Sequence, residues 1–437
     1  MNDATTYAHT LSDAVARIEA RYIAAYPKSR EHYESATRTM PGANTRHVLY
    51  HDPFPVALVS GKGALLRDLD GHEYVDFLGE FTAGLYGHSD PVIKEAIQAV
   101  LSKGLALGGP NQYEAQLARL MVDRFPAVDL IRFCNSGTEA NMMNISLARA
   151  VTKRPAVLVF SGSYHGGLFS FSGGKASPMN VPIDVVVSEF NNLEHSRDLI
   201  QENSSRLAAV IVEPVMGSAG CIPADVEFLR MLRDETDKSG IILIFDEVMT
   251  SRLAPGGLHE ALGIMPDLVS FGKYLGGGVT FGAFGGRADL MERFDPRQPD
   301  ALVHSGTYNN NVITMAAGIA GLSQVFTPDK VTKLNQLGDQ FRLRLQQIVD
   351  SLGAPIQVTG QGSMICIHPQ RESIKTPANI HSTPLAYKLI HLEMHLRGLY
   401  LARRGFMSLS LAITDRDLEV FSTAFKETIG EHKHVLA

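Results

Sequence analysis

The chain reads as an α/β protein: a large domain with a mostly parallel central sheet covered by helices, plus a smaller α+β domain drawn from both chain ends. Two observations predict this. Between about Asp129 and Arg287 the apolar runs LIRFCN, AVLVF, DVVVSEF, LAAVIVEPV, IILIFDEV, LVSFGK and FGAFGG alternate with helical stretches. Continuous apolar runs suit strands buried on both faces, because a strand in a helix-covered parallel sheet shows neither side to water. After about Thr327 the pattern changes to long helices and a hairpin, which marks a second body.

The elements follow in order. Residues 1–75 supply an N-terminal helix and a small sheet assigned to the smaller domain. In that stretch Val56 to Asp76 reads as hairpin material around the turn signals Gly61-Lys62-Gly63 and Asp70-Gly71. Residues 76–326 form the large domain. It opens with a helix from Ser89 to Gly104, capped by Ser89, with Pro91 in its first turn and Ile93, Ile97, Val100 and Leu101 on one face. Residues 327–437 complete the small domain: a long helix striped by Leu334, Leu337, Phe341, Leu345 and Ile348, then PIQVTGQGSMICIH as a hairpin. A helix near Pro384 to Arg397, a strand from Phe406 to Leu411 and a last helix with a capping box at Thr414 and Asp417 close the chain.

Composition narrows the function. With 437 residues, 45% hydrophobic and 20% charged, and a formal charge of −6, the chain can bury a large core but lacks the basic excess that a nucleic-acid backbone requires. Cys134, Cys221 and Cys366 are far apart and share no CxxC spacing, so neither a disulfide framework nor a zinc site is indicated, and a reducing cytoplasm is expected. The N-terminus has no basic start followed by an apolar block, and no run is long enough to span a bilayer.

Ligands of open α/β sheets bind at the carboxyl ends of the strands, where Asn135, Glu213, Asp246 and Lys273 fall. Asp246 and Lys273 form a suggestive pair. Pyridoxal phosphate needs a lysine to hold its aldehyde as a Schiff base and a carboxylate to keep its ring nitrogen protonated. Taken singly, each is better read as an ordinary turn or cap acid and a solvated loop lysine, and only the context overturns that. In NSGTEAN, Ser136, Gly137 and Thr138 pass from a strand into a helix, whose free N–H groups and dipole favour a phosphate; an ordinary capped helix has the same appearance. Tyr164 in SYHG is either a ring that stacks on a flat cofactor or a structural tyrosine. Glu213 follows a buried run and so needs a partner, either a cofactor hydroxyl or a nearby basic group. Thr307 lies where the chain leaves the large domain.

The segments SGTEAN, SYHG, EPVMG, FDEVMTSR, FGKYLGGG and HSGTYNNN, in this order from about Gly42 to about Thr414, resemble the class III aminotransferases of the fold-type I pyridoxal-phosphate enzymes. The resemblance implies that Lys273 carries the cofactor, Asp246 faces the pyridine nitrogen, Tyr164 stacks on the ring and Val248 packs on its other face. It implies phosphate binding by Ser136, Gly137 and Thr138, and a homodimer in which Thr307 reaches the neighbouring subunit's cofactor phosphate. Within the class the chain is similar to the β-phenylalanine aminotransferases and, more distantly, to glutamate-1-semialdehyde aminomutases. Arg46 in PGANTRHVL and Arg404 in LARRGF match positions where the former are expected to hold substrate carboxylates, with Arg403 as an alternative to Arg404 and a surface ion pair as the other reading of each. The implied reaction moves the amino group of a β-amino acid to an α-keto acid such as 2-oxoglutarate or pyruvate. An aminomutase and a catalytically silent cofactor-binding protein are the competing readings.

Two motifs are set aside. GGKAS at Gly173 lacks the Walker spacing, and HLEMH, with His391 and His395 one helical turn apart, is read as solvated helix histidines rather than metal ligands.

Overall fold

The computed structural model describes residues 10–436; the opening nine residues, on which part of the leader reading rests, lie outside them. All the apolar runs become strands of one sheet, in the order Leu130–Cys134, Gly282–Gly286, Leu268–Gly272, Ile242–Asp246, Leu207–Val212, Ala156–Phe160 and Asp184–Ser188. Gly282–Gly286 runs antiparallel to both neighbours, and every other adjacent pair is parallel. The strands Ala156–Phe160, Leu207–Val212, Ile242–Asp246 and Leu268–Gly272 are buried at every residue.

Successive side chains divide between the two faces. Val157, Val159, Ile211 and Ile244 meet Ala140, Ile145 and Leu147 of the helix Gly137–Thr152. Leu158, Phe160, Val212 and Phe245 meet Phe228, Leu229 and Leu232 of the helix Val226–Ser239. Each such Leu, Ile or Phe taken out of water contributes about 1.5–3 kcal/mol, so both layers are held by burial.

Both chain ends enter a second sheet, in which Leu58–Lys62, Leu65–Asp68 and Glu73–Asp76 run antiparallel and Leu399–Tyr400 adds in parallel to Glu73–Asp76. A third sheet joins the hairpin Gln357–Gln361 and Met364–His368 to Phe406–Ser408. The helix Pro328–Leu352 buries Leu334, Phe341 and Leu345 as its stripe predicts, and the capping box at Thr414 and Asp417 starts the helix Asp415–Leu436.

Some local expectations need correction. The helix predicted from Ser89 spans Pro91–Leu101, and its cap is Asp90, whose carboxylate accepts from Ile93 N at 3.1 Å. Ser89 has φ +63° and sends its hydroxyl to the Gly61 carbonyl. Leu101 is exposed rather than on the buried face. The strand from Phe406 stops at Ser408, after which Leu409 and Leu411 N–H groups bond Ser363 and Leu85 carbonyls. No helix of the described residues is long and apolar enough to cross a membrane.

The histidines of HLEMH are not solvated: His391 and His395 are buried in the helix Pro384–Leu396. The N-terminal helix Leu11–Ala25 covers the face that periodicity assigns to solvent, bringing Tyr22 against His395, while His51 packs edge-on to His391 at 4.6 Å between ring centroids. Burial pushes the pKa of His51 down to about 4 and those of His391 and His395 well below the usual value. The fold therefore holds these rings neutral, whereas the unfolded chain protonates them near pH 6.5. Their contribution is complete above that pH and is lost progressively as pH falls from there toward the folded values, about 4 for His51, by up to about 4 kcal/mol per unit if all three groups take up a proton on unfolding. Urea unfolding of the parent and of a His391→Leu/His395→Met variant at pH 7 and pH 5 checks this. The variant is expected to lose less stability on acidification, and equal losses would show that the rings do not carry the acid sensitivity.

Candidate active site

Parallel strands in register end together, so Asp246, Glu213 and Lys273 gather at one sheet edge, the first as the last residue of its strand and the others immediately after theirs. Strand alternation then separates the two acids of the Asp246-Glu247 pair. Glu247 turns to the back of the sheet, fully buried, and accepts from Leu258 N, His259 N and His259 Nδ1 at 2.7–2.8 Å. Asp246 turns toward the helix Gly137–Thr152. Its Oδ2 accepts from Asn141 Nδ2 at 2.7 Å and from His165 Nδ1 at 2.8 Å, while its Oδ1 accepts from Val248 N at 3.2 Å. The buried carboxylate thus has two donors on one oxygen and one on the other, with accepting capacity left on Oδ1. His165 Nε2 is buried and has no partner among the described residues.

Glu213 accepts from Tyr164 N at 2.9 Å and Gly217 N at 3.1 Å. Burial raises its pKa against the pull of the His165 ring, with Asp246 adding to the rise. The partner it needs is therefore found in the backbone of the Tyr164 loop. That bond fixes Tyr164, whose ring is 48% exposed at the mouth of the site.

At the helix start, Ser136 Oγ accepts from Glu139 N at 3.1 Å and Glu139 Oε2 accepts from Asn135 N at 3.0 Å, a reciprocal cap that engages the Ser136 hydroxyl. The Gly137 and Thr138 N–H groups form the first free turn. Two glycines make the loops meet here. A Cβ on Gly137 would stand 2.8 Å from Val248 Cγ2, and one on Gly166, at φ +117°, would stand 2.3 Å from Thr138 Oγ1. Ser136 to Thr138, Tyr164 to Gly166 and Val248 consequently line one recess.

Lys273 is half-buried and holds φ +56°, a left-handed geometry that a non-glycine residue adopts only when its surroundings enforce it. Its pKa is lowered to about 8, first by burial and then by Arg46 and Arg404, against the opposing pull of Asp246 and Glu213.

The two arginines meet on one aromatic ring. Arg46 Cζ lies 5.7 Å and Arg404 Cζ 5.2 Å from the centroid of Phe81. Arg46 forms an ion pair with Glu80, while Arg404 also lies over Phe406 and leaves its Nε buried without a hydrogen bond among the described residues. Arg403 turns the other way, toward Asp52 at 3.6 Å. Phe81 owes its place to four consecutive residues at positive φ, from Gly79 to Thr82. Behind them the fully buried Arg252 donates to Thr82 O at 3.4 Å, Ser363 Oγ at 3.1 Å and Leu409 O.

Thr307 is apart from this cluster, exposed on a loop that Asn309 ties to Asn135. Sequence reasoning missed Asn141, His165, Glu80 and Phe81. The first two had a signal, since Asn141 ends SGTEAN and His165 follows Tyr164 in SYHG. The last two had none, because a left-handed run of non-glycine residues has no sequence signature.

The family model of class III aminotransferases matches residues 49–429. The chain belongs to that family. It is 44% identical, over 98% of both chains, to the β-phenylalanine transaminase of Variovorax paradoxus. The crystal structure of a β-phenylalanine aminotransferase from that organism superposes with a TM-score of 0.95 over 97% of this chain and 98% of the other. An ω-transaminase from Sphaerobacter thermophilus is 36% identical with a TM-score of 0.87, covering 92% of this chain and 97% of its own. The glutamate-1-semialdehyde aminomutase of Desulforudis audaxviator is further away, 34% identical over 91% of this chain and 98% of its own. The fold is accordingly that of the fold-type I transferases, and the cofactor of the family is pyridoxal 5′-phosphate.

The recess fits that cofactor. It offers a buried carboxylate for a protonated ring nitrogen, an exposed aromatic ring, free N–H groups at a helix start for a phosphate, and a lysine whose pKa is lowered toward neutrality. His165 is one of the two side-chain donors to Asp246, beside Asn141. Removing a donor from a buried charged acceptor costs about 1.5–3 kcal/mol. His165→Ala is expected to weaken pyridoxal-phosphate affinity about tenfold, read from the cofactor absorbance during titration of apoenzyme. Unchanged affinity would mean that His165 is not needed to keep Asp246 charged.

Proposed function

We propose that this aminotransferase moves the amino group of an aromatic β-amino acid, of the β-phenylalanine type, to an α-keto acid such as 2-oxoglutarate or pyruvate. The observation that carries this reading is the convergence of Arg46 and Arg404 on Phe81, beside Lys273. In a β-amino acid the amine stands one carbon further from the carboxylate than in an α-amino acid. A site serving both a β-amino donor and an α-keto acceptor must therefore anchor acids of two shapes over one reacting carbon. Two guanidiniums supply two anchors, and the 44% identity to a β-phenylalanine transaminase adds support.

When bound, pyridoxal phosphate takes up the electron pair left as a proton departs from the amine-bearing carbon. The residues divide the remaining work. Lys273 anchors the cofactor aldehyde through its amine, and, once released, its Nζ moves the proton at the reacting carbon; a pKa near 8 leaves a usable fraction in the basic form at neutral pH. Asp246 would keep the ring nitrogen protonated, and Tyr164 and Val248 would hold the ring between them. Ser136, Gly137 and Thr138 hold the phosphate through N–H groups and the helix dipole. Glu213 binds the Tyr164 loop from below.

A homodimer belongs to the same proposal, with Thr307 completing the phosphate site of the neighbouring subunit. Exposure of Val303 at 90% and Tyr308 at 61% beside Thr307, with Leu105 and Leu107 also open, fits a face that a second subunit covers. The two-domain division at 75/76 and 326/327 is proposed with it, the chain ends forming the smaller unit.

Incubation with β-phenylalanine and 2-oxoglutarate should yield glutamate, and almost none would favour the aminomutase reading. Lys273→Ala is expected to abolish both half-reactions, and an undiminished rate would overturn its assignment. Arg404→Leu should raise the donor KM about tenfold or more, whereas Arg403→Leu, which breaks only the contact with Asp52, should change it less than about twofold. The reverse pattern would assign the carboxylate to Arg403.

A further inference from the structure

The two guanidiniums over Phe81 are not equivalent. Arg46 already has a carboxylate, that of Glu80, and both side chains of this pair are close to half-exposed, at 43% and 48%. Arg404 has aromatic rings beneath it and no ion pair among the described residues.

The placement of Glu80 is enforced. Glu80, Phe81 and Thr82 have φ of +49°, +53° and +81°, conformations that disfavour side chains with a Cβ. Gly79, at φ +53°, begins the run, and a Cβ there would lie 2.5 Å from Ser408 Oγ, so the turn is pressed against the strand Phe406–Ser408. On the other side Thr82 O receives the Arg252 guanidinium. Surroundings that enforce this strain aim the Glu80 carboxylate at the guanidinium an incoming acid would use.

We propose that Glu80 is a resident competitor for Arg46 and sets the enzyme's discrimination between monocarboxylic and dicarboxylic acids. An acid with one carboxylate takes Arg404, which has no ion pair among the described residues, and leaves the Arg46–Glu80 pair intact. An acid with two carboxylates gains Arg46 only by displacing Glu80. The ion pair is exposed enough for a solute anion to reach it, and exposed pairs are weak enough for the exchange to be reversible. This inference rests on the assignment of Arg46 and Arg404 to substrate carboxylates.

Binding of unreactive acids to the holoenzyme, followed by calorimetry, separates the two claims. Glutarate serves as the dicarboxylate and 3-phenylpropionate as the monocarboxylate. Glu80→Gln is expected to tighten glutarate about threefold, the scale of an exposed ion pair, and to leave 3-phenylpropionate within about twofold. Arg46→Leu is expected to weaken glutarate about tenfold. Glutarate affinity that is unchanged or reduced in Glu80→Gln, with Arg46→Leu still weakened, overturns the proposal and leaves the role of Arg46 standing. Equal tightening of both acids also overturns it, because Glu80 would then act only through net charge. No loss in Arg46→Leu overturns both. If Glu80→Gln does not retain the parent's cofactor absorbance, Glu80→Asp, which draws the carboxylate back by one methylene, carries the same test with a smaller tightening of glutarate alone.

Discussion

The site is built around a buried negative charge. Asp246 ends a strand that is covered on both faces, and a carboxylate there stays ionised only if donors replace the water it loses. Those donors are Asn141, from the helix that begins at Gly137, and His165, from the loop that carries Tyr164. The elements that satisfy Asp246 are therefore the same ones that present the free N–H groups at the start of the helix Gly137–Thr152 and the exposed Tyr164 ring. Glu213 reinforces this arrangement by accepting from Tyr164 N, which gives the loop a second attachment to the sheet edge. Solvating one acid internally assembles three parts of the cofactor recess.

A second buried charge ties together the turn that carries Phe81 and the C-terminal segment. Arg252 has no carboxylate partner; its guanidinium is satisfied by Ser363, by the Thr82 and Leu409 carbonyls and by nothing ionic among the described residues. Burial lowers its pKa to about 10, so it remains a cation at neutral pH. A cation satisfied by neutral oxygens from separate segments acts as a tie. It connects the chain just after Asp246 to the strained turn at Glu80 and Phe81 and to the C-terminal segment that carries Arg404. The distance between the cofactor recess and the paired arginines is thereby set by interior hydrogen bonds.

Much of this was legible in the sequence, for identifiable reasons. Strand existence followed from apolar runs whose burial leaves no freedom of interpretation, and each run became a strand of the same sheet. The ligand edge followed from topology, which is why Asp246, Glu213 and Lys273 fall together. What failed depended on contacts remote in sequence. His391 and His395 were assigned to solvent because helix periodicity does not reveal that the helix Leu11–Ala25, more than 350 residues earlier, covers their face. The cap moved from Ser89 to Asp90 because both residue types can cap, and backbone geometry at Ser89 decided between them. Arg403 and Arg404 are adjacent and chemically identical, so only the turn geometry that sends one to Asp52 and the other to Phe81 distinguishes them.

The charges around Lys273 explain why these parts belong in one site. Two carboxylates, Asp246 and Glu213, favour its protonated form, and two guanidiniums, Arg46 and Arg404, oppose it, with burial tipping the balance toward the neutral amine. The arginine contribution is the variable one, because a carboxylate bound at either guanidinium offsets the charge that Lys273 experiences. In the proposed reaction Lys273 is committed to the cofactor aldehyde in the empty site and is released as a free amine only after the amine of a bound acid displaces it. It becomes more basic once an acid is in place, when it must accept a proton. In the proposed reaction, substrate recognition and proton transfer are thereby coupled through the same two guanidiniums.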